Sequence, residues 1–264
     1  MARPQTRLKG ALGGDQALAV WSLLPAVLTA LLPLAIAYAQ SPLVAELEAV
    51  ATSYHNDPTR LDHLREGLEQ TVTTDARVEN LVALARVSYI WGDIRATTED
   101  QRLAAYDRGR QVAKRAVELA PRHVEGRFWY ALNTGRWGQI RGVMRSLFLL
   151  STVQEEIHTI LQLDPKFTPV YLLAGHVFYE VPRLLGGDLR KAEQMFRKGL
   201  EQDPRFTAMR VGLGKALIKL GRVPEGRREL LSVLEEKAPS NPADWALNDS
   251  KEARELLDPL KGKW

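Results

Sequence analysis

Glutamate and histidine are the side chains of this sequence best suited to metal or acid–base chemistry, so their spacing is a first test of function. Glu155 and His158 have the Glu-x-x-His spacing of di-iron carboxylate sites. Such a site needs a second copy of the motif and two more glutamates from facing helices, and the sequence has no second copy. No two histidines stand one helical turn apart, as the ligands of a zinc protease do. We therefore predict no metal site, and an exposed helix face here. The histidines are His55, His63, His123, His158 and His176.

The glycine-rich segments do not match a phosphate or nucleotide loop. Gly212-Leu-Gly214 lacks the third glycine and the preceding strand of a dinucleotide motif, and Gly186-Gly187-Asp188 lacks the Gly-Lys-Ser/Thr ending of a P-loop. The first segment fits a close helix crossing, and the second fits a turn with Asp188 as the N-cap of the next helix. The sequence therefore predicts no cofactor.

The sequence also gives little support for a pair of catalytic carboxylic acids. Glu155 and Glu156 are the nearest pair, but adjacent residues point about 100° apart on a helix and do not face each other. No Gly-x-Ser-x-Gly elbow occurs. We predict no catalytic residue, and a helical-repeat enzyme acting on periplasmic glycan or lipid is the least favoured alternative.

Composition narrows the class of protein further. The 264 residues are 45% hydrophobic and 26% charged, with a net charge of +4 and no cysteine. This balance predicts a folded chain without disulfides or thiolate sites, and it does not indicate nucleic-acid binding. Residues 101–145 contain ten basic and three acidic residues. That segment fits an acidic partner, anionic lipid or, as is usual for charge runs, a solvated face.

The N-terminus has the pattern of a secretory signal. Residues 1–16 are polar and basic, residues 17–39 carry no charge, and the stretch ends in Ala37-Tyr38-Ala39. An uncleaved membrane anchor is the alternative, although Pro25 and Pro33 interrupt the apolar stretch. In either case the chain after residue 40 is expected outside the cytoplasm, in the periplasm, in contact with the membrane only if residues 17–39 are retained.

Helical segments that end in the same way repeat along the remaining chain. Apolar residues recur at intervals of three and four, which predicts helices, and proline after the last turn stops a helix. These prolines are spaced 44, 39 and 35 residues apart. They are Pro121, Pro165, Pro204 and the weaker Pro239. The sequence predicts an all-α solenoid of about four to five helical hairpins.

The predicted organisation has three parts after the signal. Residues 40–74 form an N-terminal helical pair, residues 75–239 the repeats, and residues 240–264 a tail with a short capping helix. The apolar segment Met144–Leu150 could line a cavity, seat a partner or pack in the core, and the core is favoured because the segment continues into the helix before Pro165.

Small residues at the helix crossings, such as Gly175 and Gly214, and the terminal prolines resemble the tetratricopeptide (TPR) repeat. Three irregularities resemble the T-component family of tripartite ATP-independent periplasmic (TRAP) transporters, and the mitochondrial regulators of microtubule dynamics share some of the spacing. They are Phe128-Trp129-Tyr130, the insertion from Glu180 to Asp188, and the tail from Asp244 to Leu257. The resemblance implies a periplasmic TPR protein that associates with a solute-binding protein and holds a small ligand of apolar character.

In a TPR array the first helices of successive pairs line the concave face. A protein segment, a helix or a small molecule would bind there, and packing is the alternative role of the same residues. The sequence leaves the oligomeric state open, and a membrane-anchored envelope assembly factor is a second functional interpretation. The predicted concave residues are Phe128, Arg136, Leu172, His176, Tyr179, Glu180, Lys215 and Lys219.

Overall fold

The computed structural model describes residues 41–260, and every regular element in that range is helical. The predicted signal lies outside the described residues. None of the described helices combines the length and hydropathy needed to cross a bilayer. The helices are α1 Pro42–Val50, α2 Arg60–Thr74, α3 Val78–Ile94, α4 Glu99–Leu119, α5 Val124–Ile140, α6 Val143–Leu163, α7 Pro169–Glu180, α8 Leu189–Gln202, α9 Thr207–Lys219, α10 Val223–Glu235 and α11 Ser250–Leu257.

The helices pack as successive hairpins. After the α1–α2 pair come α3–α4, α5–α6, α7–α8 and α9–α10, and the two helices of each pair contact each other. The first helix of one pair also contacts the first helix of the next, as α3 does with α5 and α7 with α9. The second helices α4, α6 and α8 each end two residues before a repeated proline. The predicted all-α hairpin solenoid is therefore confirmed.

Glycine allows the close crossing within two hairpins. A Cβ built on Gly175 would overlap the ring of Phe196 on the facing helix, and one built on Gly214 would lie 2.9 Å from the Leu230 side chain. Phe196 and Leu230 are fully buried, so neither has room to move aside. The predicted role of both glycines as crossing positions is confirmed.

The insertion between α7 and α8 is a structured turn. It contains the 3-10 turn Arg183–Leu185 and reverses at Gly186, whose φ of +101° favours glycine. The Asp188 carboxylate then accepts hydrogen bonds from the backbone N–H groups of Arg190 and Lys191. These N–H groups lower the pKa of Asp188, with the largest effect from Lys191. Asp188 is the N-cap of α8, as predicted.

The C-terminal tail connects the last hairpin with the first. A helical turn at Pro242–Asp244 and a π-helical turn at Trp245–Asp249 lead into α11. The Trp245 indole donates a 2.8 Å hydrogen bond to the Val233 carbonyl on α10. Ala243 is fully buried in the core cluster built mainly by α1 to α4, and the Tyr54 hydroxyl donates to Asp244. The tail thus packs against both ends of the solenoid.

The core position predicted for Met144–Leu150 is wrong for its first turns. Met144 and Phe148 are 68% and 72% exposed. Helix α6 has 21 residues, whereas α7, which packs on it, has only 12. At 1.5 Å per residue α7 is too short to cover the beginning of α6, so these apolar side chains face solvent.

Candidate binding groove

Side chains from α5, α7 and α9 meet along one side of the solenoid. The Gln139 amide on α5 donates a 2.8 Å hydrogen bond to Glu180 on α7. The ammonium groups of Lys215 and Lys219 on α9 lie 5.5 and 4.6 Å from the centre of the Tyr179 ring on α7. Successive first helices therefore present neighbouring side chains to a common surface. We call this surface the groove, formed by Tyr89, Arg136, His176, Tyr179, Glu180, Lys215 and Lys219.

The N-terminal end of the groove is aromatic and carries one ion pair. The Tyr89 ring on α3 lies 5.9 Å from the Tyr106 ring and 5.7 Å from the Trp129 ring. The Arg136 guanidinium stands 5.9 Å from the centre of the Tyr89 ring and 3.6 Å from the Asp93 carboxylate. The Tyr106 hydroxyl donates to the same carboxylate at 2.5 Å. Asp93 thus fixes both Arg136 and Tyr106.

Burial keeps the two tyrosines of this end neutral. It is the main cause that raises the pKa of Tyr89 and of Tyr106 well above the usual range, and the charge of Asp93 adds to the effect. Neutral phenols donate and accept hydrogen bonds but do not act as bases near neutral pH. This end of the groove is therefore suited to binding rather than to proton transfer.

The centre of the groove is a neutral histidine. Burial, with added effects from Lys215 and then Arg136, lowers the pKa of His176 to about 4. Its Nδ1 atom lies 3.7 Å from the Glu180 carboxylate, so at neutral pH this is a polar contact and not an ion pair. Its ring meets Phe196 edge-on at 5.5 Å. A neutral imidazole offers one donor and one acceptor to a bound chain.

The C-terminal end leaves one positive charge available. Lys215 is paired with Glu252 of α11 at 2.8 Å. Lys219, one helical turn further along α9, forms no ion pair within the described part of the chain and is exposed. Its ammonium group is held over the Tyr179 ring. Lys219 is therefore the groove cation most able to bind a carboxylate of a ligand.

Two predicted groove residues pack with the core, Phe128 as a buried side chain and Leu172 as a half-buried one. Phe128 is only 7% exposed and packs edge-on against Trp129 and Phe167 at 5.0 and 5.3 Å between ring centres. Eight residues separate it from Arg136, which rotates it about 80° around α5 and out of the groove. Leu172 is packed against two core clusters. The other six predicted residues lie on α5, α7 and α9 within the groove as defined above, and their role in binding stays a prediction.

Sequence reasoning missed the contribution of α3 to the site. In the sequence, Tyr89 and Tyr106 continue apolar residues at intervals of three and four, which favours a core position, and Asp93 carries no repeat signature. A usable signal was present, because Asp93 and Arg136 stand 43 residues apart, close to the 44 residues between Pro121 and Pro165. Equivalent positions in adjacent repeats become neighbours in a solenoid.

The residues considered for chemistry do not converge. Glu156 is bound to Arg127 at 2.6 Å, and Glu155 is exposed. The His158 ring contacts the Gln162 side chain at 2.9 Å. Within residues 41–260, no three histidine, aspartate or glutamate side chains are arranged to hold a metal ion. The candidate site of the described chain is therefore the groove.

Stacked hairpins with small crossing residues and terminal prolines define a TPR protein, and a tetratricopeptide-repeat family matches residues 184–247. The chain belongs to the family described as regulator of microtubule dynamics protein 1-3, which matches residues 44–185. No curated protein matches the chain.

Two solved structures are similar to this chain. A thermophilic TPR protein from Thermus thermophilus, TTC0263, is 20% identical with a TM-score of 0.59, over 81% of this chain and 96% of that one. MamA from Desulfovibrio magneticus is 13% identical with a TM-score of 0.47, over 80% of this chain and 99% of that one. At these identities the likeness to TTC0263 shows the TPR fold alone.

Proposed function

We propose that this protein is a TPR scaffold that binds a segment of a partner protein in the groove. The observation that carries the proposal is the alignment of polar and aromatic side chains from α5, α7 and α9 on one surface, with Lys219 left without an ion-pair partner among the described residues. Such first-helix surfaces suit extended or helical peptides. The family also supports a protein partner, since its description concerns regulators of microtubule dynamics.

The chemistry of the groove favours a particular kind of segment. The Tyr179 ring offers an amphipathic surface for an apolar side chain, and Lys219 beside it binds a carboxylate. His176, neutral at physiological pH, adds hydrogen bonds to a backbone. The fitting ligand is a segment with an acidic residue next to an aliphatic or aromatic one. A small apolar ligand fits this charged surface less well.

For the cellular role, the proposed partner is the periplasmic solute-binding protein of a TRAP transporter. The insertion that ends at Asp188 and the tail that packs through Trp245 and α11 support this assignment by their resemblance to the T-components. It requires that residues 1–39 direct export. A membrane-anchored envelope assembly factor is the alternative, and it differs in keeping residues 17–39.

Substitutions in the groove test the binding proposal. Lys219→Glu reverses the free charge and should weaken binding of the partner about tenfold or more, which corresponds to about 1.4 kcal/mol. Tyr179→Ala should weaken binding by about 1–3 kcal/mol as loss of an aromatic anchor. Lys237→Glu makes the same charge change on an exposed loop outside the groove and should have no effect. Calorimetric titration, with a thermal melt of each variant, measures both binding and folding.

Capture of the partner tests the cellular role. A photo-reactive amino acid placed at Tyr179 should cross-link a periplasmic solute-binding protein in cells. Cross-links only to cell-wall enzymes or outer-membrane proteins would reject the transporter role and leave the scaffold role intact. Mass spectrometry of the native protein decides export, because a mature N-terminus at Gln40 means cleavage and an intact Met1 or Ala2 means an anchor.

A further inference from the structure

One edge of the solenoid concentrates exposed apolar side chains. Seven large hydrophobic residues are exposed in the described part of the chain, and only Leu119 and Leu247 lie away from this edge. The other five come from the start of α6 and from the turn between α7 and α8. We call them the edge patch: Val143, Met144, Phe148, Leu184 and Leu185.

Both parts of the edge patch lie on the same side of the stack. The α5–α6 connection and the α7–α8 connection each join the first helix of a hairpin to its second helix. In a stack of antiparallel hairpins such connections share one edge. The hydrogen bond between Gln139, near the end of α5, and Glu180, at the end of α7, places the two helix ends side by side. The edge patch therefore spans two neighbouring hairpins.

The edge patch is accompanied by unpaired positive charge. Within the described residues, Arg141, Arg145 and Arg183 form no ion pair. The guanidinium groups of Arg141 and Arg145 lie 5.5 and 5.7 Å from the centre of the Trp137 ring. No aspartate or glutamate occurs in residues 126–154. Protruding apolar side chains thus stand next to Arg141 and Arg145, which pair with no carboxylate of the described chain, and next to Arg183, whose charge acts on the nearby Asp188 carboxylate.

We propose that this edge of the protein rests on an anionic membrane surface, with Met144, Phe148 and Leu184 inserted among the lipids and the arginines bound to lipid phosphates. Apolar residues beside basic ones are the composition of interfacial membrane contacts. Arginine binds phosphate through two parallel N–H donors, and Trp137 is suited to the same interface. The contact is peripheral, and it is independent of the groove and of its ligand.

The shape of the edge favours lipid over a protein partner. Leu184 is 98% exposed and stands on a turn, while Phe148 is 72% exposed on a helix. A protein partner would need a separate pocket for each protruding side chain, whereas the disordered headgroup region accommodates both. A second copy of this chain would bring the same unpaired arginines together, and like charges oppose such contact.

A single-cysteine label tests the proposal in the full chain, because the native sequence has no cysteine. The environment-sensitive dye NBD is attached at Met144→Cys. Its emission should rise several-fold and shift to the blue when phosphatidylcholine vesicles contain phosphatidylglycerol, but not with phosphatidylcholine alone. Leu119→Cys is the matched control, since Leu119 is an exposed leucine away from the edge patch, and it should not respond. The NBD dye reports only on the lipid contact of the residue that carries it, so the comparison stays valid even if residues 17–39 also bind the vesicle.

Charge reversal completes the test. In the Met144→Cys protein, Arg141→Glu with Arg145→Glu should lower the affinity for anionic vesicles roughly tenfold or more, because each basic residue near the surface contributes attraction. Circular dichroism verifies that each variant is folded. An equal response at Leu119, no response at Met144, or a response that depends on protein concentration without vesicles would overturn the proposal. The last outcome would indicate a second copy at the edge.

Discussion

Burial shifts the pKa values of two side chains, His176 in the groove and Asp249 in the tail. The pKa of His176 falls to about 4, whereas the pKa of Asp249 rises to about 7, in both cases mainly because burial disfavours the charged form. Asp249 accepts a 2.6 Å hydrogen bond from the Thr207 hydroxyl, which opposes the rise, and the charges of Asp244 and Glu252 add to it. The tail therefore contains an acid that titrates near physiological pH.

Asp249 should make the stability of the protein depend on pH. Its folded pKa lies above its unfolded pKa near 3.8, so the folded state holds the extra proton between about pH 4 and pH 7. The contribution of Asp249 to the free energy of unfolding therefore falls as the pH rises from about 4 to about 7, and it stays constant at higher pH. Asp249→Asn should raise the free energy of unfolding at pH 8 by about 1–3 kcal/mol, with a smaller gain at pH 4. Urea unfolding at both pH values measures this.

An exposed carboxylate provides the control for this titration. Glu255 on α11 is largely exposed, and its one ion-pair contact within residues 41–260 is Lys251 at 4.0 Å, so Glu255→Gln should leave the pH profile close to that of the wild type. A pH profile of Asp249→Asn that matches the wild type would show that another group carries the titration. A lower stability of that variant at pH 8 would show that the ionised carboxylate is the stabilising form.

At the residue scale the sequence predicts positions fixed by local chemistry. Asp188 was recognisable as an N-cap because the cap uses backbone groups two and three residues away. The Tyr54–Asp244 hydrogen bond joins residues 190 apart, and no local pattern encodes it. The aromatic side chain of Phe128 suits either a core or a groove. Its position around the axis of α5, which the sequence does not show, places it in the core.

At the scale of the secondary-structure elements, close helix crossings depend on glycine. Two matched glycine-to-alanine substitutions measure how much this contributes to stability. Gly175→Ala should lower the free energy of unfolding by about 1–3 kcal/mol, because its methyl group overlaps the buried Phe196 ring. Gly135 lies within α5, and outside its own turn of helix no heavy atom of residues 41–260 lies within 4 Å of an added Cβ. Gly135→Ala should therefore raise stability by about 0.5–1 kcal/mol through higher helix propensity. Thermal and urea unfolding give both values.

Equal effects of the two substitutions would contradict the proposed crossing. A stabilising Gly175→Ala would mean that α7 and α8 can move apart, and the hairpin would then tolerate larger residues as well. A destabilising Gly135→Ala would instead show that the added methyl group meets a neighbour and that this position of α5 is not open. Gly214→Ala should resemble Gly175→Ala, since its Cβ meets Leu230.

Element order and type followed from the repeated helix endings, because proline and the helical period act within a few residues. The exposure of Met144 and Phe148 did not follow from sequence. It depends on the short length of α7 relative to α6, and the period of a helix does not report the length of its neighbour. The sequence identified the first helix of each later hairpin and did not predict which neighbouring helix covers each helix end.

At the scale of the whole molecule, the tail makes the solenoid more cooperative than its repeats alone would be. Repeat proteins usually hold contacts between adjacent units only, so their ends open independently. Here Asp244 accepts a hydrogen bond from Tyr54, and Ala243 is buried in the core of the first hairpins. Trp245 is bonded to α10 at the same time. Opening the tail therefore exposes surfaces on both the first and the last hairpin.

Removal of the Tyr54 hydroxyl tests whether the tail couples the first hairpin to the last. Tyr54→Phe keeps the ring but removes one of the donors to Asp244, a carboxylate whose pKa burial already raises. Loss of this donor should lower the free energy of unfolding by about 1–3 kcal/mol, although the Asn241 amide still donates to the other carboxylate oxygen. Tyr130→Phe is the control, because its hydroxyl forms no hydrogen bond within the described chain. Hydrogen exchange should then speed up together in α2 and in Pro242–Leu257 if the tail joins both ends, whereas faster exchange in the tail alone would show that the first hairpin is stable without it.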